Sequence, residues 1–213
     1  MTVTVQDIRC AVEEKLGTFP VVERTRQFCV DASRWLMDVT PEDVILCSIS
    51  GSYLYGTAHA GSDIDFVVVC AGLARNKSVK TDMFDMQIVS LGDFVRLVGE
   101  GAPQFVEALE SPYRVVNMTH PWAPFVCALR PDVGRFRRKC MSAACAYAGR
   151  SLRQVNDGGT RKMRRHVARL MDMVSSSWDT GVINPVWRNF GAFSCVEESY
   201  FDTVAWQVAS CAQ

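Results

Sequence analysis

The sequence predicts an α/β (α+β) fold in which a small mixed sheet is followed by a mainly helical part. Three short β-prone runs, at residues 44–49, 62–69 and 84–89, alternate with segments whose apolar residues have helical spacing. After Leu91 the pattern turns helical and largely remains so. The 213 residues are 48% hydrophobic and carry no formal net charge, which is typical of a globular protein and excludes a disordered or low-complexity chain.

Turn residues and polar alternation define the three runs. The first follows Pro41 and ends at Ser50-Gly51-Ser52, and the second begins ten residues later at Ser62. In the third run, Asp85 and Gln87 alternate with apolar neighbours. This alternation indicates a strand with one polar face, so we expect all three runs to share one sheet.

Helical spacing of apolar residues predicts helices on both sides of the strand region. In chain order they cover residues 5–16 and 21–38, segments around Phe94–Val98 and Phe105–Leu109, and residues 133–155, 161–178 and 197–210. The two longest are separated by a stop signal at residues 156–159. Four prolines between residues 112 and 131 mark a connecting stretch. We therefore predict an amino-terminal α/β subdomain of residues 1–120 and a helical, basic subdomain of residues 121–213.

The net charge of zero conceals an uneven distribution. Residues 130–169 contain twelve Lys or Arg against two acidic residues, a net charge of +10, and the remainder contains 11 basic against 21 acidic residues, a net charge of −10. A basic segment on an acidic body indicates a polyanion partner, and a solvated helix surface is an alternative of comparable weight.

Several features predict a soluble, cytoplasmic protein that does not enter a membrane. The amino terminus lacks the basic and apolar regions of a secretory signal. The longest apolar run, residues 66–71, is far shorter than the ~20 residues that cross a bilayer. The nine cysteines form no CxxC pair and have no histidine at zinc-finger spacing, so we expect most of them to be reduced and buried.

Acidic and glycine-rich features suited to phosphate chemistry lie within fifteen residues. Asp63 and Asp65 are two positions apart in an extended segment, so their carboxylates point to the same face and can share hard cations such as Mg²⁺. Gly51 and Ser52 lie at a strand-to-helix turn, where backbone N–H groups and a hydroxyl can contact a phosphate. Together these features indicate phosphoryl or nucleotidyl transfer.

Residues 51–65 read GS-x3-G-x5-SDID and run into an apolar strand. This pattern resembles the signature of the nucleotidyltransferase superfamily that includes DNA polymerase beta. The resemblance implies that Asp63 and Asp65 bind two Mg²⁺ ions, with Mn²⁺ as the alternative metal, and that Gly51, Ser52 and Ser62 hold the triphosphate of an NTP. Tyr53 stands where relatives often carry Arg.

The superfamily places a third carboxylate on a neighbouring strand, where it completes the metal site and helps to activate the attacking hydroxyl. We assign it to Asp85, which opens the third run, because Asp82 falls in a loop. A solvated strand end is the alternative for Asp85. His59 lies near the motif, and substrate contact and simple exposure are equally compatible with its position.

Two further segments are similar to the RNA-repair-associated, RlaP-like branch of that superfamily. The first is residues 91–109, with a Gly-x-Pro turn and Glu107, and the second is Lys162-x3-His166-x2-Arg169. The last three residues lie at i, i+4 and i+7, which places them on one helix face. We predict that this face is an anion site for the nucleotide, although a lone helical histidine is more often structural.

The resemblance implies a metal-dependent enzyme that moves a nucleoside monophosphate from an NTP, such as ATP, to a hydroxyl acceptor. The basic segment favours RNA as the acceptor, either a tRNA end or a strand under repair. Two alternatives stay open. One is transfer to a protein hydroxyl, as in related toxin and antitoxin enzymes, and the other is a catalytically silent nucleotide- or RNA-binding module.

Overall fold

The computed structural model describes residues 43–58, 62–80, 84–153 and 157–185. The strands are β1 (Val44–Ser50), β2 (Ile64–Cys70), β3 (Lys77–Lys80), β4 (Phe84–Ser90) and β5 (Arg114–Val116). The helices are α1 (Gly51–Tyr55), α2 (Leu91–Gly99), α3 (Pro103–Glu110), α4 (Ala123–Ala128), α5 (Val133–Ser151) and α6 (Asp157–Thr180). The predicted α/β class is confirmed. The helices predicted over residues 5–16, 21–38 and 197–210 lie outside the described residues, as do His59 and Asp82.

Within the described residues, five strands form one mixed sheet in the order β3-β4-β2-β1-β5. Strands β2 and β4 are parallel, and the other neighbouring pairs are antiparallel. The three predicted strands are confirmed as β1, β2 and β4. Two strands were missed, since β3 has only four residues and β5 has three residues inside the stretch predicted to be a connection.

Apolar residues pack on both faces of the sheet. On one face, Val67 and Val69 of β2 pack in a cluster with Phe94 of α2 and Phe136 of α5. On the other face, residues that alternate with these, such as Phe66, join a second cluster with parts of β1 and β4. Burial of both faces explains why β2 reads as a nearly continuous apolar run rather than a strict alternation.

Helices α5 and α6 form the helical part. Phe136, Cys140, Ala144 and Ala148 recur every four residues on α5 and are fully buried, so one apolar stripe of this helix faces the core. The predicted boundary between the two helices needs correction, because α6 begins at Asp157 and not after Gly159. Glycine in a helix costs only about 1 kcal/mol, which the packed part of a long helix can offset.

A glycine turn joins the sheet region to the helical part. Gly101 has a φ of +74°, and a Cβ there would lie 2.5 Å from the Phe136 backbone nitrogen and 2.9 Å from the Arg135 carbonyl oxygen. The turn between α2 and α3 thus packs directly on the backbone of α5. The Gly-x-Pro segment noted in the sequence therefore has a packing role. The division at residue 120 stays a prediction.

None of the five cysteines that the structure describes forms a disulfide. Cys47, Cys70 and Cys140 are buried, and Cys127 and Cys145 are half-buried. Burial raises the pKa of both the Cys70 and the Cys140 thiol to about 12. Across the described ranges, no helix is both long and apolar enough to span a bilayer.

Candidate active site

Strand register aligns four polar residues in one row across the sheet. Lys80 of β3 is the cross-strand partner of Asp85 of β4, Asp85 is the partner of Asp65 of β2, and Asp65 is the partner of Ser50 of β1. Partners in register project to the same face of a sheet, so the carboxylates of Asp65 and Asp85 are neighbours on parallel strands.

Asp63 lies directly before β2 and close to this row of residues. The Nζ atom of Lys80 lies 3.6 Å from Oδ2 of Asp63 and 3.3 Å from Oδ2 of Asp85. One ammonium group therefore contacts both carboxylates. The structure thus brings together the three aspartates that the sequence singled out, at the end of β2 and β4 that lies next to α1.

The carboxylates are crowded enough to perturb each other. Burial, together with the nearby charges of Asp63 and Asp85, raises the pKa of Asp65 to about 6, although the charges of Lys162 and Lys80 act in the opposite direction. Additional positive charge near this carboxylate would favour its ionised form.

The donor chemistry of this cluster fits a divalent metal. Mg²⁺ prefers carboxylate oxygens, and three carboxylates are present here beside a partly exposed edge. Over the described ranges, no three His, Cys, Asp or Glu side chains form a ready-made metal cage. This agrees with the pairing of Asp63 and Asp85 to Lys80, because in this arrangement the two carboxylates share an ammonium group rather than a metal ion.

Gly51 allows the Asp65 carboxylate to lie against the start of α1. Its φ is +64°, and a Cβ at this position would lie 1.6 Å from Oδ2 of Asp65 and 2.5 Å from its carboxyl carbon. Only glycine fits so close an approach without strain. The conspicuous glycine of the motif therefore leaves the space that one of the three carboxylates occupies.

The other residues of the motif differ in exposure. Ser52 is half-buried on α1, and Ser62 is buried just before Asp63. Tyr53 is buried in the apolar cluster on the face of the sheet opposite Asp65. Tyr53 therefore supplies no positive charge where relatives often carry Arg.

The face of α6 that carries Lys162, His166 and Arg169 runs from solvent into the core. Lys162 is exposed, and its charge lowers the pKa of Asp65, so the beginning of α6 acts on the aspartate cluster. The His166 ring stacks on Tyr147 with 5.2 Å between centroids. Burial lowers the pKa of His166 to about 4, with Arg169 and Lys162 adding to the effect, so this side chain is neutral at pH 7.

Arg169 departs from the expectation of a single anion-binding face. It is buried, its Nη1 donates to Oε1 of Glu107 at 2.7 Å, and its guanidinium lies 3.8 Å from the ring centroid of Tyr55. The Tyr55 hydroxyl donates to Oε2 of the same glutamate at 2.5 Å. The buried Glu107 thus links α1, α3 and α6, and Arg169 forms part of this link.

Residues 39–98 match the family model of the nucleotidyltransferase domain. The match supports the nucleotidyltransferase superfamily and runs from just before β1 almost to the end of α2, so it includes Gly51 and the three aspartates. No curated protein matches the chain. The RlaP-like branch stays a prediction.

Sequence reasoning missed the roles of Lys80, Tyr55 and Glu107. A signal existed for Glu107, since it is an acidic residue inside the apolar stretch Val106–Leu109 of a predicted helix, where a charge needs a partner. Lys80 gave no signal, because its position depends on the register of a four-residue strand.

Proposed function

We propose that this protein is a metal-dependent nucleotidyltransferase that moves a nucleoside monophosphate from an NTP to a hydroxyl acceptor. The observation that carries the proposal is the convergence of Asp63, Asp65 and Asp85 beside Gly51, within the region that matches the nucleotidyltransferase domain. Either feature alone would be common, but carboxylates packed against a glycine at a strand-to-helix turn suit an NTP and its metal.

The three aspartates would hold Mg²⁺, or Mn²⁺ in its place. When bound, the metal would lower the pKa of the acceptor hydroxyl and stabilise the charge that develops as pyrophosphate leaves. The chain itself positions the carboxylates: Gly51 leaves room for Asp65 at the start of α1, and the pairing of β2 with β4 sets Asp85 beside it. Gly51, Ser52 and Ser62 border this cluster and would contact the triphosphate.

The helical part would contribute Lys162 as a phosphate-binding cation, since its charge already acts on Asp65. His166 would contribute without a charge, because it is neutral at pH 7. We leave Arg169 out of the proposed nucleotide site, since its guanidinium is buried against Glu107 and Tyr55.

RNA is the acceptor that the charge distribution favours. Arg135, Arg138, Lys139 and Arg150 are all exposed on α5, and their spacing puts them within about 120° of one another around the helix axis. Arg153 follows the helix and is also exposed. Such a stripe of cations suits contacts to successive phosphates of a polyanion.

The test compares the variant Asp63→Ala plus Asp65→Ala with Asp179→Ala, which removes an exposed carboxylate at the far end of α6. Each protein is incubated with radiolabelled NTPs, Mg²⁺, total RNA and cell extract. We expect label in RNA with the wild type and the control, and none with the double variant, whose folding is checked by circular dichroism. Transfer retained by the double variant would refute the proposal.

The same assay separates the other acceptors. Label in a protein band would show that the acceptor is a protein hydroxyl rather than RNA, and the proposed nucleotidyl transfer would still stand. Absence of label with the wild type, together with calorimetric binding of a non-hydrolysable NTP, would identify a silent binding module instead.

A further inference from the structure

Lys80 is placed at the aspartate cluster by the sheet itself. It is the direct antiparallel partner of Asp85, and its Nζ contacts Oδ2 of both Asp85 and Asp63. A cation fixed by strand register between two carboxylates differs from a chance surface ion pair, because its backbone cannot drift away from them.

The contacts of Lys80 divide the three aspartates into two groups. Asp63 and Asp85 pair with the ammonium, whereas the Asp65 carboxylate lies against Gly51. The Lys80 side chain is 67% exposed, against 39% for Asp63 and 29% for Asp85. The long, exposed lysine side chain can therefore swing into solvent, while the aspartates stay where the sheet holds them.

We propose that Lys80 is a built-in counter-ion, which neutralises the aspartate cluster in the metal-free protein and competes with the divalent metal for Asp63 and Asp85. The inference rests on the proposed function, since it assumes that these aspartates bind the metal. On this proposal, Lys80 contacts the aspartates only in the metal-free protein, because a metal ion that binds has to displace the ammonium. The lysine therefore weakens metal binding and stabilises the metal-free protein.

Lys80→Gln is the variant that tests this, and Lys77→Gln is its matched control. Both remove one positive charge from β3, but residues 77 and 80 alternate to opposite faces of the strand. Mn²⁺ binding is measured without nucleotide by the loss of the free Mn²⁺ signal in electron paramagnetic resonance. We expect Lys80→Gln to bind Mn²⁺ about three- to tenfold more tightly than the wild type, and Lys77→Gln to stay within about twofold.

A second readout on the same proteins tests the metal-free role. In EDTA, the thermal midpoint of Lys80→Gln should fall by about 1–4 °C relative to Lys77→Gln, because the carboxylates lose their counter-ion. In saturating Mn²⁺ this deficit should disappear. The EDTA measurement also shows that the variant is folded.

The outcomes separate this inference from the proposed function. If the wild type binds Mn²⁺ and Asp63→Ala plus Asp65→Ala does not, but Lys80→Gln binds no more tightly than the wild type, the role of Lys80 alone is refuted. Equal tightening in Lys77→Gln and Lys80→Gln also refutes it, since only general charge would then matter. If neither the wild type nor Lys80→Gln binds Mn²⁺, both the metal site and the competition are wrong.

Discussion

Replacing Gly51 by alanine should displace the Asp65 carboxylate from its place beside α1. The added Cβ would lie 1.6 Å from Oδ2 of Asp65, 2.5 Å from its carboxyl carbon and 2.9 Å from its Cβ. All three separations are below the 3.0 Å that real Cβ contacts respect. The clash is with a whole carboxylate held on a sheet strand, so the aspartate, α1 or both have to move.

The expected magnitude follows from this geometry. Restoring the 3.0 Å separation needs a shift of about 1.4 Å, and misplacements of about 1 Å at a reacting group can cost on the order of 100-fold in rate. The left-handed backbone of residue 51 adds a strain of roughly 1–2 kcal/mol for any residue with a Cβ. We therefore expect the free energy of unfolding of Gly51→Ala to be about 2–3 kcal/mol below that of the wild type, and its rate of nucleotide transfer to be about 100-fold lower.

Urea unfolding, Mn²⁺ binding and nucleotide transfer are measured on Gly51→Ala and on Gly92→Ala. Gly92 lies on α2 with no atom within 4 Å of an added Cβ, so alanine there should leave activity unchanged and raise stability by up to about 1 kcal/mol. Displacement of the Asp65 carboxylate is refuted if Gly51→Ala keeps wild-type Mn²⁺ affinity and more than about a third of the transfer rate. A loss of stability with normal metal binding would show strain without displacement of Asp65.

Three further predictions concern buried groups. Arg169→Met should lower the free energy of unfolding in urea by about 3–5 kcal/mol by stranding the Glu107 carboxylate, and adding Glu107→Leu should restore much of it; a single variant of near wild-type stability would contradict this. The pKa of His166 is lowered to about 4, so the unfolded chain binds more protons than the native one between about pH 6.5 and 4, and stability falls as pH falls through that window. In urea titrations, His166→Phe should reduce the difference in the free energy of unfolding between pH 7 and pH 4.5. The same difference in His166→Phe and the wild type would contradict this role of His166. Cys70 and Cys140, whose pKa values are raised to about 12, should not react with a disulfide reagent at pH 8 in the native protein; fast labelling at either position would contradict their burial.

Features encoded by neighbouring residues could be predicted from the sequence. The apolar runs of β1, β2 and β4 were found because burial on one or both faces leaves a local pattern. The shared face of Asp63 and Asp65 follows from the two-residue period of an extended chain. The apolar strand patterns and the spacing of the two aspartates were sufficient to find the region that matches the nucleotidyltransferase domain.

Features that depend on distant pairing could not be predicted. Strands β3 and β5 have four and three residues, too few to show a period. The contact of Lys80 with Asp85 depends on the register between two strands, and a slip of one residue would turn the lysine to the other face. Helical spacing correctly places Lys162 and Arg169 on one face of α6. It does not predict how deeply each end of the helix is buried.

The twelve cations of the basic segment divide into groups with different roles, so their number alone overstates the surface available to a polyanion. Arg169 forms an ion pair with Glu107. Arg137 donates a hydrogen bond to Ser177, and its guanidinium carbon lies 4.6 Å from the ring centroid of Trp178. Lys162 acts on Asp65, at the other end of α6 from Trp178. Since a buried, paired guanidinium gains little from a new phosphate, acceptor contacts should be sought on the exposed stripe of α5 and nucleotide contacts at the start of α6. Charge-removing substitutions on the stripe should therefore weaken acceptor binding without changing affinity for the NTP.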